Sequence, residues 1–432
     1  MALKLGYKGA VLGLGEETTW GVAVTPTKFI ELTADSLNVE EERLHTGSIP
    51  KIYMDDDEVS QSNITAGGEV EFEMRYEGME YIFKHAMGSV STSETASFTV
   101  DATNNKLDFN IGGSELTATI TLGTYPIGTN QATSGSLCKA IYDAIVAAEP
   151  TGTYTVSYST TTKKVTITRS SGTFNLLWYS GTNHSTSIGS LIGFSLSADD
   201  TGSLSYESDN TIQPVYTHTF TLTDELPTGL TAEVNLDTTA KTVSGCKINT
   251  LALTIEQGGF LKATVGLVGK DMTMGTATAS VLPTAQLVTF SHGTITYNST
   301  TKYVKTASFT HNNNLKIDRR FIGSRLIYEP KRSAKIEVTG TFTIDFEDTA
   351  EYTDFRNATS RELVLVFTST NTIKSGVYYT ITITFPIIKL TSGVPMVKDA
   401  GPIELELPFK AYATDSSTRE FNVVINNTLS SI

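Results

Sequence analysis

Gly13-Leu-Gly15 is the first spacing in this 432-residue chain that could do chemistry, since two glycines one residue apart open the phosphate-cradling turn of dinucleotide sites. That turn needs a third glycine three residues on, where Thr18 stands, and no βαβ unit follows. The run Asp55-Asp-Asp-Glu58 offers oxygen ligands like the start of a calcium loop. Val59 and Ser60, however, occupy the fifth and sixth positions, where an oxygen ligand and the central glycine belong, so it reads as a solvated acidic loop. The histidines at 45, 85, 184, 218, 292 and 311 are scattered, with no pair at metal-ligand spacing, and His85 reads as a surface residue. No Gly-x-Ser-x-Gly, HExxH or CxxC occurs. Cys138 and Cys246 are too few for a disulfide framework, suit a reducing compartment, and read as small buried hydrophobes. The Asn63, Asn298 and Asn357 sequons arise by chance in a Thr-rich chain that opens without a secretory signal. The expectation is no catalytic residue, no metal and no cofactor.

The elements that would position any site are strands. Thr, Ser, Val, Ile and Tyr alternate through most of the chain, as in Val70-Glu-Phe72-Glu-Met74, Leu251-Ala-Leu253-Thr-Ile255, Phe342-Thr-Ile344-Asp-Phe346, Tyr379-Thr-Ile381-Thr-Ile383 and Ile403-Glu-Leu405-Glu-Leu407. Period two means one buried and one wet face, so the fold class is mainly β, sandwich or barrel. Hydrophobic residues at 39% against 18% charged are enough for several cores, and no apolar run is long enough to span a membrane. Lys and Arg number 32 against 46 Asp and Glu, a net charge of −14, which is the wrong sign for gripping a nucleic-acid backbone.

Two segments carry a helical stripe. Met79, Ile82, Phe83, Ala86 and Met87 share one face between Glu77 and Met87, with Gly88 as a left-handed cap. Leu137, Ile141, Ala144, Ile145 and Ala148 do so between Ser134 and Glu149, ahead of Pro150. A repeat at an offset of 272 residues places Gly68-Glu-Val-Glu-Phe-Glu-Met on Gly340-Thr-Phe-Thr-Ile-Asp-Phe, Ser36-Leu37 on Ser308-Phe309, Phe83 on Phe355 and Ala86 on Ala358. Met79 falls on Glu351 and Ile82 on Asp354, so the second helix should be shorter or more exposed. The stretch from Phe98 to Asp209 has a different texture and Gly-Ser-Thr-rich borders. The layout expected is therefore a first β copy at 1–97 and 210–280, an inserted small α+β domain at 98–209, and a second copy at 281–432.

The two copies differ most in one loop. In the first it carries Tyr53, Asp55, Asp56, Asp57 and Glu58; in the second, Arg319, Arg320, Arg325, Lys331, Arg332 and Lys335. Either these are ordinary solvated charges, or unlike loops of neighbouring copies or subunits meet, opposed charge selecting partner and register.

The segment Gly15-Glu-Glu-Thr-Thr-Trp-Gly21-Val-Ala-Val-Thr-Pro26-Thr resembles the opening of the major tail tube proteins of phages with long, non-contractile tails. Arg75-Tyr76-Glu-Gly78, Lys84-His85-Ala-Met-Gly88, Ser244-Gly-Cys-Lys-Ile-Asn249, Gly258-Gly259-Phe-Leu-Lys-Ala263, Gly323-Ser324-Arg325 and Glu329-Pro330 continue the likeness. The resemblance implies a non-enzymatic virion protein, made in the host cytoplasm and located in the phage tail, with one flanking helix per tube domain. It implies that sheets of neighbouring subunits join into a ring, a trimer acting as a pseudo-hexamer, and that rings stack helically into a tube. DNA and the tape-measure protein would pass through the lumen without tight binding, other tail proteins would meet the tube ends, and no membrane would be involved. The insert is similar to a decoration-like module of phage virion proteins, marked by Gly123-Thr-Tyr-Pro126 and Ile188-Gly-Ser-Leu-Ile-Gly-Phe194. The alternative is an adhesin or carbohydrate-binding β protein with 98–209 as its binding module, where Trp178 and Tyr179 either stack on a sugar or fill the module's own core.

Overall fold

Alternation of apolar and hydroxyl-bearing residues makes strands because it lets one face of a sheet be dry while the other stays hydrated. The computed structural model describes residues 10–45, 59–397, 400–415 and 418–432. Strand accounts for 50% and helix for 9%, so the fold is mainly β. Among the described residues three α-helices accompany the strands: α1 (Glu80–Met87), α2 (Leu137–Ala148) and α3 (Ala350–Arg356). No helix among the described residues is long and apolar enough to cross a membrane. The chain divides into two compact units, the first of residues 1–91, 219–371 and 379–425, the second of residues 92–218, 372–378 and 426–432.

In the first unit α1 buries Ile82, Phe83, Ala86 and Met87, with the Phe83 ring 5.6 Å from that of Phe220. It ends at Gly88, whose φ of 116° only glycine adopts without strain, and whose N–H donates to the Lys84 carbonyl. His85 is not the surface residue its flanking lysine suggested. It is 3% exposed, with Nε2 2.8 Å from Glu16 Oε1, because the first strand, Val11–Glu16, lies over that side of the helix. Lys84 Nζ reaches the same oxygen at 2.6 Å. The His85 hydrogen bond, with help from Lys84, lowers the Glu16 carboxyl to about 2, while burial drives the imidazole's pKa down.

Glu80, at the start of α1, is 2% exposed and accepts from the Gly78 N–H at 2.9 Å. Burial pushes its carboxyl up to about 7. A native carboxyl that holds its proton to higher pH than the unfolded one adds stability that is complete below about 4.5 and fades as pH rises toward 7. Glu80→Gln stays neutral throughout. Its stability relative to the natural chain should therefore improve by about 3 kcal/mol between pH 4.5 and 7.5, read from urea melts across that range.

α3 is shorter than α1, as expected, but the residues that break its apolar stripe are buried and paired. Glu351 receives Lys302 Nζ at 2.6 Å; Asp354 receives Arg361 at 2.8 Å and the Tyr297 hydroxyl at 3.0 Å.

The second unit packs α2 and short strands around one core running in sequence from Phe98 to Tyr206. The Ser136 hydroxyl caps α2 by accepting from the Lys139 N–H at 3.2 Å, and Leu137, Cys138, Ile141 and Ile145 face the core. Cys138 and Cys246 are free and buried, and burial pushes the Cys138 thiol up to about 12. Trp178 belongs to this core: it is 1% exposed, its rings lie 4.8 Å from Phe194, and its N–H donates to Asp200. It offers no face to a sugar, whereas Tyr179 is exposed. The unit also takes in the tip 372–378 and the C-terminal residues. Lys374 Nζ lies 3.3 Å from the Phe98 ring centroid, and burial pushes its ammonium down to about 8. His218 is fully buried between Thr92 and Asn427, 2.9 Å from a side-chain oxygen of each.

Candidate assembly interface

One sheet of the first unit is built from eight consecutive antiparallel neighbours. They are Asn38–His45, Val59–Glu73, Lys262–Gly269, the C-terminal half of Thr239–Glu256, Val304–Asn312, Glu337–Asp345, Glu404–Ala411 and the last residues of Val377–Leu390. The order contains two runs of four with the same pairing. Gly68 pairs with Leu267 and Leu267 with Ile248 in the first run; Gly340 pairs with Phe409 and Phe409 with Leu390 in the second. The runs meet at a seam from Thr250 opposite Asn312 to Glu256 opposite Thr306.

Strict alternation gives this sheet two unlike faces. Val70, Phe72, Leu253, Val265, Phe309, Phe342 and Leu407 are buried on one. Glu69, Glu71, Thr254, Glu256, Thr310, Thr339, Glu404 and Glu406 are exposed on the other, which is therefore acidic and rich in hydroxyls.

The two ends of the order are unlike as well. At one end Asn38–His45 is almost entirely exposed. At the other the chain leaves the sheet after Leu390, and residues 392–397 carry no strand pairing among the described residues. Counted from the matched residues Ile248 and Leu390, this segment is the sequence counterpart of Thr250–Ile255 in the first run. It presents Val394, Met396 and Val397 to solvent at 51%, 65% and 77%.

The model of the phage tail tube protein family matches residues 8–411, across both strand runs. The chain belongs to the phage tail tube family. It is thus a structural protein of the phage virion tail. A comparison with curated proteins gives no match.

The loop residues singled out from the sequence of this tail tube chain are placed as follows. Tyr53, Asp55, Asp56, Asp57 and Glu58 lie outside the described residues. The second loop, 313–336, folds back on the arm formed by Asn38–His45 and Val59–Glu73. Arg320 donates to the Ile64 carbonyl at 2.9 Å and to Thr65 at 2.8 Å; Arg325 donates to the Ser62 carbonyl at 2.8 Å and Gln61 at 2.7 Å, 3.4 Å from Glu41. Arg332 donates to Asn313 Oδ1 and to the Thr223 and Asp224 carbonyls, and Arg319 to the Glu329 carbonyl. Lys331 pairs with Glu329 at 3.2 Å, and Lys335 is exposed, its carbonyl accepting from Asn314. Most of these cations thus meet neutral oxygens of their own chain, which orders the loop and leaves its charge largely uncancelled.

Two groups that position this sheet escaped the sequence reading. Lys247 is 3% exposed with Nζ 2.5 Å from Glu329, and burial lowers its pKa. Its position inside an alternating strand gave no sign of it. Glu17 is buried within the Gly15–Gly21 motif; the motif was visible, its physical role was not.

Proposed function

We propose that this chain assembles through its sheet edges into rings that stack as the phage tail tube, a conduit for DNA. The carrying observation is the seam, where the last strand of the first run pairs with the first strand of the second, while among the described residues the outer edges at Asn38–His45 and after Leu390 have no strand beside them. Transferred to the join between chains, the same register sets residues 392–397 opposite 35–40, Val394 facing Asn38 and Val397 facing Asp35. β-augmentation of this kind completes edges that would otherwise template aggregation. Pro395, lacking an N–H, keeps the unpaired segment from adding to wrong edges meanwhile. Three chains of two tube domains each would close a pseudo-hexameric ring, and the acidic, hydroxyl-rich face would line a lumen that repels phosphate and lets DNA and the tape-measure protein slide. Other tail proteins would cap the ends. Negative-stain microscopy of the purified chain tests this: rings or tubes are expected, and dispersed monomers at all concentrations and salts would refute it.

Residues 98–209 contribute no strand to the eight-strand order, which supports reading them as an insertion into the first copy. Replacing them with a short linker should preserve tubes. It should also lower the melting temperature by several degrees, roughly 2–4 °C per kcal/mol, because 372–378 and 426–432 lose their packing partners. Loss of tubes from a folded product would show the insertion to be part of the ring.

A further inference from the structure

The strand Glu337–Asp345 separates two regions of opposite charge. At its start is the loop 313–336, which holds seven cations (Lys316, Arg319, Arg320, Arg325, Lys331, Arg332, Lys335) against Asp318 and Glu329, a net of +5 in a chain of −14. At its end are Asp345, Glu347 and Asp348, with Glu404 brought alongside by its pairing to Asp345; Lys305 is the cation set among them, 2.7 Å from Asp345 and Glu404. Nine strand residues span about 27–30 Å, so the loop and the acidic end of one molecule are held apart. The loop's tip is also apolar: Ile322 is fully exposed and Phe321 is 54% exposed, its ring edge-on to Tyr328 at 4.7 Å.

The corresponding end of the first run is different. Glu73 matches Asp345, but Arg75 matches Glu347, Tyr76 matches Asp348 and Lys262 matches Glu404. Glu31 pairs with Arg75 at 2.6 Å and Glu73 stands opposite Lys262, so one run ends acidic and the other neutral.

Resting on the stacked-ring reading, we infer that the cationic loop 313–336 docks on the acidic strand end Asp345, Glu347, Asp348 and Glu404 of a second copy in the next ring. The matching end of the first run, where Arg75 is held by Glu31 at 2.6 Å and Lys262 stands opposite Glu73, offers the loop no such acidic partner. The charges thereby choose between the two classes of position that a pseudo-hexameric ring offers and set the rotation from ring to ring. Opposed charge of this kind works through specificity, and the mismatched pairing supplies the penalty. The apolar tip then excludes water from the contact.

A charge swap tests the inference. Lys331→Glu with Lys335→Glu on the loop, and separately Glu347→Lys with Glu404→Lys on the strand end, should each raise the protein concentration needed for tubes about tenfold at low salt. Combining all four should bring it back to within about threefold of the natural chain. The natural chain's own threshold should rise with salt, as screening shortens the reach of the charges to about 8 Å and below. Intact rings with no rescue in the combined variant, or a threshold indifferent to salt, would overturn the docking. Absence of rings from the natural chain would instead overturn the stacked-tube reading, and ring assembly is scored separately in the same images.

Discussion

Met396→Pro combined with Val397→Asp is expected to abolish rings and tubes while leaving the free chain as stable as before. In the free molecule both side chains are largely exposed, at 65% and 77%, in a segment without strand pairing. Their replacement should move the melting temperature by no more than about 2 °C, as for other surface changes. In the ring the same residues would take the places that Thr254 and Ile255 hold in the seam, where Thr254 faces Ser308 and Ile255 faces Ala307. Ile255 is 7% exposed there. Val397→Asp would thus bury a carboxylate, and do so facing Asp35, while Met396→Pro would remove a backbone donor from the new pair. Together these cost about 5 kcal/mol per joint, weakening each by more than about a thousandfold. Light scattering behind a sizing column and negative-stain images give the readout. A doubly substituted chain that assembles at the natural concentration would rule out this register.

The strands were legible because period-two alternation is a direct consequence of having one dry face, and it survives in nearly every segment from Val70 to Leu407. α1 and α2 were legible for the same reason at helical period, including the cap at Gly88. The errors fall where a side chain's surroundings come from distant sequence. His85 sits beside Lys84 on an apparently wet helix face, and only the placement of Glu16, 69 residues earlier, makes it a buried partner. The stripe of α3 is broken by Glu351 and Asp354, and nothing local announces that Lys302, Tyr297 and Arg361 will meet them. The charged loop 313–336 was visible as a cluster of arginines and lysines. That Arg320 and Arg325 donate to carbonyls of the opposing arm was not, since those acceptors are backbone atoms and carry no residue signature. Nor does any pattern in Gly393-Val-Pro-Met-Val397 suggest the edge role proposed for it; its proline argues the other way, and the proposal rests on comparison with Leu251–Ile255.

Glu17→Ala should be among the most destabilising single changes in the chain, costing roughly 3–5 kcal/mol and lowering the melting temperature by about 10 °C. The carboxylate is 4% exposed and makes three charge-assisted hydrogen bonds. Oε2 accepts from the Gly21 N–H at 2.6 Å; Oε1 accepts from the Thr231 hydroxyl at 2.9 Å and the Gly245 N–H at 2.8 Å. Each of the donors has few alternatives in a site closed by Trp20, whose indole N–H donates to the Gly245 carbonyl at 3.0 Å and whose ring lies 5.4 Å from Lys270 Nζ. Gly21 and Gly245 have φ of 74° and 66°, and a Cβ on either would strike the Lys270 side chain, so the backbone can turn toward the carboxylate only as glycine. The Gly15–Gly21 motif is thus a clamp that ties the first strand to the strands Leu230–Leu236 and Thr239–Glu256, the latter running on into the seam. Glu17→Gln, which keeps one acceptor oxygen and turns a donor toward the Gly21 N–H, should lose about half as much. Urea melts of both variants check the ranking, and an alanine variant within about 1 kcal/mol of the natural chain would show that water replaces the carboxylate and that the motif holds the sheet by packing alone.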